Sequence, residues 1–274
     1  MRRGSVAKRK AGRQCAPGSI RVAATDLRGD GGTSVKPEDA IAFRNLSGLV
    51  KWLKIALVAL GLAALLDGYS SWLQIALLEN AQLGIAVTKE AASANDSRQA
   101  WVGLLYFCAW LATAILFLRW TYLTKRNADA LGASGLKFTP GWSVGYYFIP
   151  IMAFWKPYQA LKETFQASHP DFRDDWECAP SPGVLPVWWT LFLIDSFVGR
   201  EVAMTAFRAK TITEVIAASK TNLWSKFPDI ALVVAVYVLI STLQTCQTAK
   251  FERSANPHPG STDLRTGHPV KGSA

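Results

Sequence analysis

The sequence predicts an all-α integral membrane protein. It would have four transmembrane helices, one short proline-broken segment that is re-entrant or a fifth span, and a disordered basic N-terminal tail. Of the 274 residues, 50% are hydrophobic and 11 are tryptophan. The apolar residues are concentrated in long runs instead of being spread as in a soluble core. Several tryptophans lie at the ends of these runs, where an indole ring prefers the lipid headgroup level.

Crossing a bilayer as a helix takes about 18 residues or more. Three apolar runs reach that length with at most one acidic residue each: 55–78, 101–118 and 228–247. Residues 184–204 are also long enough, although Asp195, Arg200 and Glu201 lie in their second half. These four segments are the predicted spans of a membrane domain that covers residues 48–247.

The two ends of the chain are predicted to be disordered tails. Residues 1–47 carry ten Lys or Arg against four Asp or Glu and show no apolar periodicity, so they should stay on the cytoplasmic side. We interpret them mainly as a solvated tail that fixes topology. The alternative is attraction to anionic lipid headgroups, which we expect rather than nucleic acid binding. Residues 248–274 are rich in Pro, Gly, Ser and Thr.

One stretch, FTPGWSVGYYFIPIMAFWKPYQAL at residues 138–161, has three prolines, two tryptophans and three tyrosines. Its apolar core, 142–155, is short for a span and typical of re-entrant or interfacial segments. Pro150 removes a helix hydrogen bond, so we expect a bent, hairpin-like insertion followed by a helix on the membrane surface. Because broken helices at membrane depth need shielding, this is a candidate site: Pro140, Gly141, Trp142, Gly145, Pro150, Trp155, Pro157, Tyr158 and Gln159.

The distribution of Lys and Arg in the loops favours the re-entrant interpretation over a fifth span. If the segment turns back, 11 of these residues lie in inside loops and 6 in outside loops. If it crosses, the counts are 8 and 9, and the usual excess of positive charge on the inside is lost. Both termini are therefore predicted to be cytoplasmic.

Four ionisable residues within the predicted spans form a second candidate site: Asp67, Asp195, Arg200 and Glu201. A charge at a helix centre costs about 2.5–3.5 kcal/mol on insertion scales, so each should face the interior of the bundle. One hypothesis is a path for an ion, proton or solute. The other is an interhelical pair such as Asp67 with Arg200, or a span that ends early and leaves Arg200 and Glu201 at the interface.

Motifs of enzymes and metal proteins lack their usual context. GWSVG at 141–145 has the G-x-S-x-G spacing of serine hydrolases, but no strand pattern precedes Ser143 and no suitable histidine partner follows. GASG at 132–135 resembles the rhomboid protease motif, but the predicted spans contain no histidine. The four cysteines and three histidines show no metal-ligand spacing. We therefore expect no enzyme activity, no cofactor and no metal.

Three runs resemble a known bacterial family, the domain of unknown function 4328: RWTYLTKRNADALG at 119–132, TPGWSVGYYFIPIMAFWKPYQALKE at 139–163 and VWWTLFLID at 187–195. The resemblance covers roughly residues 48–247. It implies an integral membrane domain of the bacterial inner membrane, without indicating an activity, substrate or partner. Asp195 and the basic tail look particular to this chain, so their roles cannot be taken from the family.

The sequence favours a non-enzymatic membrane scaffold or accessory protein, whose rigid aromatic surface packs against a partner or a second copy. Four or five spans are few for a transporter, and no internal repeat is visible. The alternative is a small solute or ion transporter or channel component that uses Asp67, Asp195 and Arg200 around the broken helix at 142–157. Beyond the lipid bilayer, the expected partners are anionic lipids through the tail, and a homo-oligomer or another membrane protein.

Overall fold

The computed structural model describes residues 42–172 and 175–255, and within these ranges the chain is helical with no β-strand. Six α-helices follow one another: α1 (Ser47–Gln82), α2 (Lys89–Ala130), α3 (Pro140–Gly145), α4 (Lys156–Ala167), α5 (Val184–Arg208) and α6 (Ile212–Ala255). The predicted all-α class is confirmed for these residues.

Three of the helices, α1, α2 and α6, are long and apolar enough to cross a membrane. Each contains one of the predicted uncharged or nearly uncharged runs. The fourth predicted span also forms a single helix, α5, with 25 residues. Its charged second half leaves it without an apolar, nearly uncharged stretch as long as those of the other three, and its crossing of the bilayer stays a prediction.

The helices extend into segments that the sequence analysis assigns to loops and tails. α6 begins at Ile212, within the predicted loop before residue 228, and ends at Ala255, within the predicted C-terminal tail. Near this end the Phe43 ring stacks on Phe251 with centroids 4.3 Å apart, and Lys250 Nζ donates to the Ala167 carbonyl at 2.7 Å. Residues at the edges of both predicted tails therefore contact the helices, and the disorder of the tails stays a prediction. The rest of the predicted tails, 1–41 and 256–274, lies outside the described residues.

The four long helices pack side by side in the order α2, α1, α6, α5. Successive helices run antiparallel, and a shared apolar core contains Leu53, Trp120, Leu161, Trp188 and Leu239. The segment between α3 and α4 lies between α2 and α5, because the Tyr147 ring contacts Phe117 of α2 on one side and Phe192 of α5 on the other. The bundle is therefore closed by a broken segment instead of a fifth long helix.

This broken segment turns back on itself, as the prolines predict. α3 has six residues, capped by Thr139 Oγ1, which accepts the Trp142 N–H at 3.3 Å. Two 3₁₀ turns follow, Tyr146–Phe148 and Met152–Phe154, separated by the extended residue Ile149. Lys156 Nζ lies 5.4 Å from the centroid of the Phe138 ring. The entry and exit of the segment are thus adjacent, at the same end of the bundle.

A buried polar layer holds that end together. Lys125 of α2 is fully buried and forms an ion pair with Glu163 of α4. Glu163 also accepts the backbone N–H groups of Lys137 at 2.9 Å and Phe138 at 3.1 Å. Gln247 of α6 donates to the Thr124 carbonyl at 2.8 Å. The layer therefore ties α2, α4 and α6 to the entry of the broken segment.

Candidate functional site

A buried ion network joins α1 to α6 around Lys226. Lys226 Nζ lies 3.0 Å from Asp67 Oδ2 and 3.2 Å from Asp229 Oδ2. Asn222 Nδ2 donates to Asp67 Oδ2 and to Ser71 Oγ, both at 2.9 Å. Because an isolated buried charge is costly, both carboxylates depend on the shared ammonium of Lys226 as their counter-charge.

Tyr106 brings α2 into the same network. Its hydroxyl donates to Asp229 Oδ2 at 2.9 Å, and Lys226 Nζ lies 4.4 Å from the centroid of its ring, which is within cation–π distance. The network thus connects three helices. We call these side chains the Lys226 network: Asp67, Tyr106, Asn222, Lys226 and Asp229.

Polar contacts continue from the network along α1 and α2. Arg98 Nε donates to Ser70 Oγ at 3.2 Å, and Gln99 Nε2 donates to the Ser70 carbonyl at 3.1 Å. Ser70 is adjacent to Ser71, which contacts Asn222. Arg98 and Gln99 precede the apolar run of α2, so the polar contacts reach the end of the predicted span.

Two features of the local sequence lie beside the Lys226 side chain. Pro228 lies within α6 and has no N–H, so it removes one helical hydrogen bond beside the network. On α1, Gly68 follows Asp67, and a methyl group at Gly68 would lie 3.2 Å from Lys226 Cγ. The absence of a side chain at Gly68 lets Lys226 lie against α1.

We expect Gly68→Ala to destabilise the protein even though alanine favours a helix. Lys226 is held at its ammonium by two carboxylates, so it cannot move away from the added methyl group. Thermal unfolding in detergent should show a loss of about 1–3 kcal/mol, typical of overpacking. Gly61→Ala is the matched control on α1, because its methyl group would lie 3.8 Å from Val233 and should be neutral or stabilising. Equal effects of the two changes would contradict this view of Gly68.

A cavity of about 310 Å³ lies beside the Lys226 network, enclosed by α1, α2, α5, α6 and the turn after α3. Asp195 of α5 and Asp229 of α6 form its polar side. Within the described residues, no donor hydrogen-bonds to the buried Asp195 Oδ1. Tyr147 and Phe148 of the broken segment line the cavity with aliphatic and aromatic side chains of the long helices. Acidic groups and the broken segment therefore meet at one cavity.

The family described as Domain of unknown function (DUF4328) matches residues 84–245. The chain belongs to this family. The predicted resemblance is thereby confirmed, over a range that begins later than expected. No curated protein and no solved structure matches the chain.

The candidate site is only partly contained in the DUF4328 domain. Tyr106, Asp195, Lys226 and Asp229 lie within the matched residues 84–245. α1 ends at Gln82, before the match begins, and it supplies Asp67 to the network. The Lys226 network therefore combines residues of the DUF4328 domain with Asp67 of α1, a helix that precedes the matched residues.

The structure brings together only two of the four ionisable residues that the sequence singles out. Asp67 lies in the Lys226 network, and Asp195 lies at the cavity beside Asp229. Arg200 and Glu201 are exposed on α5. The hypothesis that Asp67 pairs with Arg200 is therefore wrong, because α6 and not α5 is the helix that packs against α1 and places Lys226 next to Asp67.

Four residues of the network were not among the predicted site residues: Lys226, Tyr106, Asn222 and Asp229. The predicted topology places Lys226 in the loop at 205–227, before the span at 228–247. One signal was available: Asn222, Lys226 and Asp229 are spaced four and three residues apart, so they share one face if the helix continues through the proline.

Within the broken segment, the residues that line the cavity differ from those predicted as the motif. Tyr147 and Phe148 line it, while Trp142 and Trp155 are 53% and 43% exposed. Five other residues of the predicted motif also do not line the cavity. Four of them are exposed or partly exposed: Pro140, Gly141, Pro150 and Gln159. The fifth, Pro157, is buried at the start of α4. A methyl group at Gly145 would lie 3.4 Å from the Trp142 ring, and the Tyr158 ring packs near Trp189. The motif mainly shapes the hairpin.

The serine of the hydrolase-like motif has a local structural role. Ser143 is buried, and its hydroxyl donates to the Thr139 carbonyl at 3.0 Å within the first turn of α3. His169 packs edge-on against Phe172 with ring centroids 5.0 Å apart. In the described ranges, no group of three or more His, Cys, Asp or Glu side chains is arranged to hold a metal ion.

Proposed function

We propose that this protein binds a small, largely apolar solute inside the membrane, as a transporter or a transporter component does. The observation that carries the proposal is the convergence of the broken segment and two acidic side chains on one cavity of about 310 Å³. Broken helices beside a polar group near the middle of the bundle are the usual position of binding sites in transporters. A cavity of this size is within the range of small-molecule sites.

The proposal is supported by the way the cavity is built. A fifth continuous helix between α2 and α5 would fill the space that Phe148 and Tyr147 only partly occupy. The cavity wall is mostly apolar, with its polar groups on one side, which is the usual composition of a site that orients a ligand. The role is a binding function without catalysis, in a multi-pass protein of the bacterial inner membrane whose N-terminus is cytoplasmic.

Filling the cavity tests this function. We expect naphthalenemethanol, a neutral compound with an aromatic body, to bind saturably to the full-length protein in phosphatidylcholine nanodiscs, measured by equilibrium dialysis against empty nanodiscs. Ala114 lines the cavity, so Ala114→Phe should abolish binding. Ala112→Phe is the matched control, because Ala112 is exposed on the same helix. Equal binding to both variants would contradict the function, and so would the absence of saturable binding both of this compound and of charged compounds with the same aromatic body.

A membrane scaffold is the second candidate, and one observation favours it. Asp67, Lys226 and Asp229 are paired with one another, as the charges of a purely structural bundle should be. A scaffold needs no ligand in its interior, and the dialysis experiment separates the two functions. Under the scaffold hypothesis the partner is a membrane protein or a second copy of this chain.

A further inference from the structure

We propose that the ligand of the cavity is a hydrophobic monocation: an apolar body that carries one protonated amine or a similar single positive charge. This inference rests on the proposed solute-binding function and specifies the chemical class of the solute. Three observations support it: the excess of acidic side chains beside the cavity, the aromatic side chains that line it, and its opening at the side of the bundle.

The acidic groups beside the cavity outnumber the basic groups that contact them. Asp67, Asp195 and Asp229 lie at or next to it, and within residues 42–172 and 175–255 their ion pairs come from Lys226 alone. Lys226 contacts Asp67 and Asp229, while the buried Asp195 Oδ1 accepts no hydrogen bond from the described residues. Excess charge of one sign is costly in a medium of low dielectric constant. A proton or a cation would relieve this excess, and we assign that role to a cationic ligand.

The position of Lys226 leaves the acidic side facing the cavity. Asp195 and Asp229 line the cavity, whereas Lys226 and Asp67 lie behind them. Asp229 is already held by Lys226 and by the Tyr106 hydroxyl. The Asp195 carboxyl lies against Asp229, so its Oδ1 is the atom available to a ligand, and the acidic side as a whole would repel an anion.

The rest of the wall suits the body of such a ligand. Trp110, Phe117, Phe148 and Trp188 are among the aromatic side chains that line the cavity. Their faces attract cations, and their area favours an apolar body. An ammonium at Asp195 would therefore have aromatic rings beside it as well as a counter-charge.

The cavity also opens to the side of the bundle. Two of its lining residues, Phe148 and Trp110, remain 70% and 48% exposed. They lie on the broken segment and on α2, in the part of the bundle where the broken segment stands in place of a long helix. A ligand with an apolar body concentrates in the bilayer, so it can enter through this opening without first crossing a polar loop.

Three compounds with the same aromatic body test the inference in the full-length protein in phosphatidylcholine nanodiscs: protonated naphthylmethylamine, naphthalenemethanol and naphthoate. We expect the amine to bind about tenfold more tightly than the alcohol, since a hydrogen bond to a charged group adds this much, and naphthoate to bind most weakly. Empty nanodiscs correct for partition into lipid.

Two variants test whether Asp195 causes the preference for the amine over the alcohol. Asp195→Asn keeps the shape of the side chain and prevents it from carrying a negative charge, so the affinities for amine and alcohol should become similar while binding of the alcohol persists. Glu201→Gln removes an exposed carboxylate from the same helix and should leave the tenfold preference unchanged.

The outcomes are separable. If the alcohol and the amine bind equally to the unchanged protein, the cation inference is overturned and the solute-binding function stands. If none of the three binds, both fail. A preference for the amine that survives Asp195→Asn overturns the assignment to Asp195. If that variant binds none of the compounds, the ranking in the unchanged protein still decides the ligand class.

Discussion

Lys226→Met is expected to lower the free energy of unfolding by about 3–5 kcal/mol, because it leaves two buried carboxylates without their shared counter-charge. The side chains of Lys226, Asp67 and Asp229 are only 9%, 10% and 14% exposed, so water cannot replace the ammonium. Thermal or denaturant unfolding in detergent measures the effect. It should be among the largest for any single substitution in the bundle.

Two controls make this prediction specific. Lys220 forms an exposed pair with Glu79 at 2.8 Å, also between α6 and α1, so Lys220→Met should cost about 0–1 kcal/mol. Combining Lys226→Met with Asp67→Asn and Asp229→Asn removes all three charges and should recover much of the lost stability. A triple variant as unstable as Lys226→Met would show that packing, and not the stranded charges, causes the loss.

Glu163→Gln is expected to have the second large effect, about 3–5 kcal/mol, because Lys125 is fully buried and loses its counter-charge. The change should also loosen the entry of the broken segment, since Glu163 accepts the N–H groups of Lys137 and Phe138. Unfolding measurements and the rate of trypsin cleavage after Lys137 report the two effects.

Glu177→Gln serves as the control, since Glu177 is exposed. It should change neither stability nor the rate of cleavage after Lys137. If Glu163→Gln lowers stability without faster cleavage at Lys137, the carboxylate holds α4 to α2 but does not fix the entry of the broken segment.

The sequence predicts the long helices well because membrane insertion imposes a length and an apolar composition that can be counted along the chain. It also predicts the bend at residues 138–161, since Pro150 cannot donate a helical hydrogen bond. It cannot predict which charges pair. Asp67 could face Arg200 or Lys226 equally well until the order of helices in the bundle is known, and that order depends on contacts distant in sequence.

The continuation of α6 through Pro228 was missed for a related reason. One proline removes a single backbone hydrogen bond, and Lys226 and Asp229 bind partners on α1 and α2 that hold both sides of the helix in line. The sequence likewise could not predict the cavity at Asp195. Asp195 was noticed for its charge, but its neighbours Asp229 and Phe148 come from other parts of the chain.

Because α6 is long, a small change of the helix angle at Pro228 would move the end of the helix by several ångströms. The proline divides the 44-residue helix into arms of about 24 Å and about 42 Å. A change of about 5° in the bend at the proline, where helices commonly flex, would displace the far end of the longer arm by about 4 Å. That end carries Gln247 and Lys250, which hold α2 and α4. The contacts of Lys226 and Asp229 on either side of the proline hold this angle, so we expect loss of the Lys226 network to shift α6 at the opposite end of the bundle.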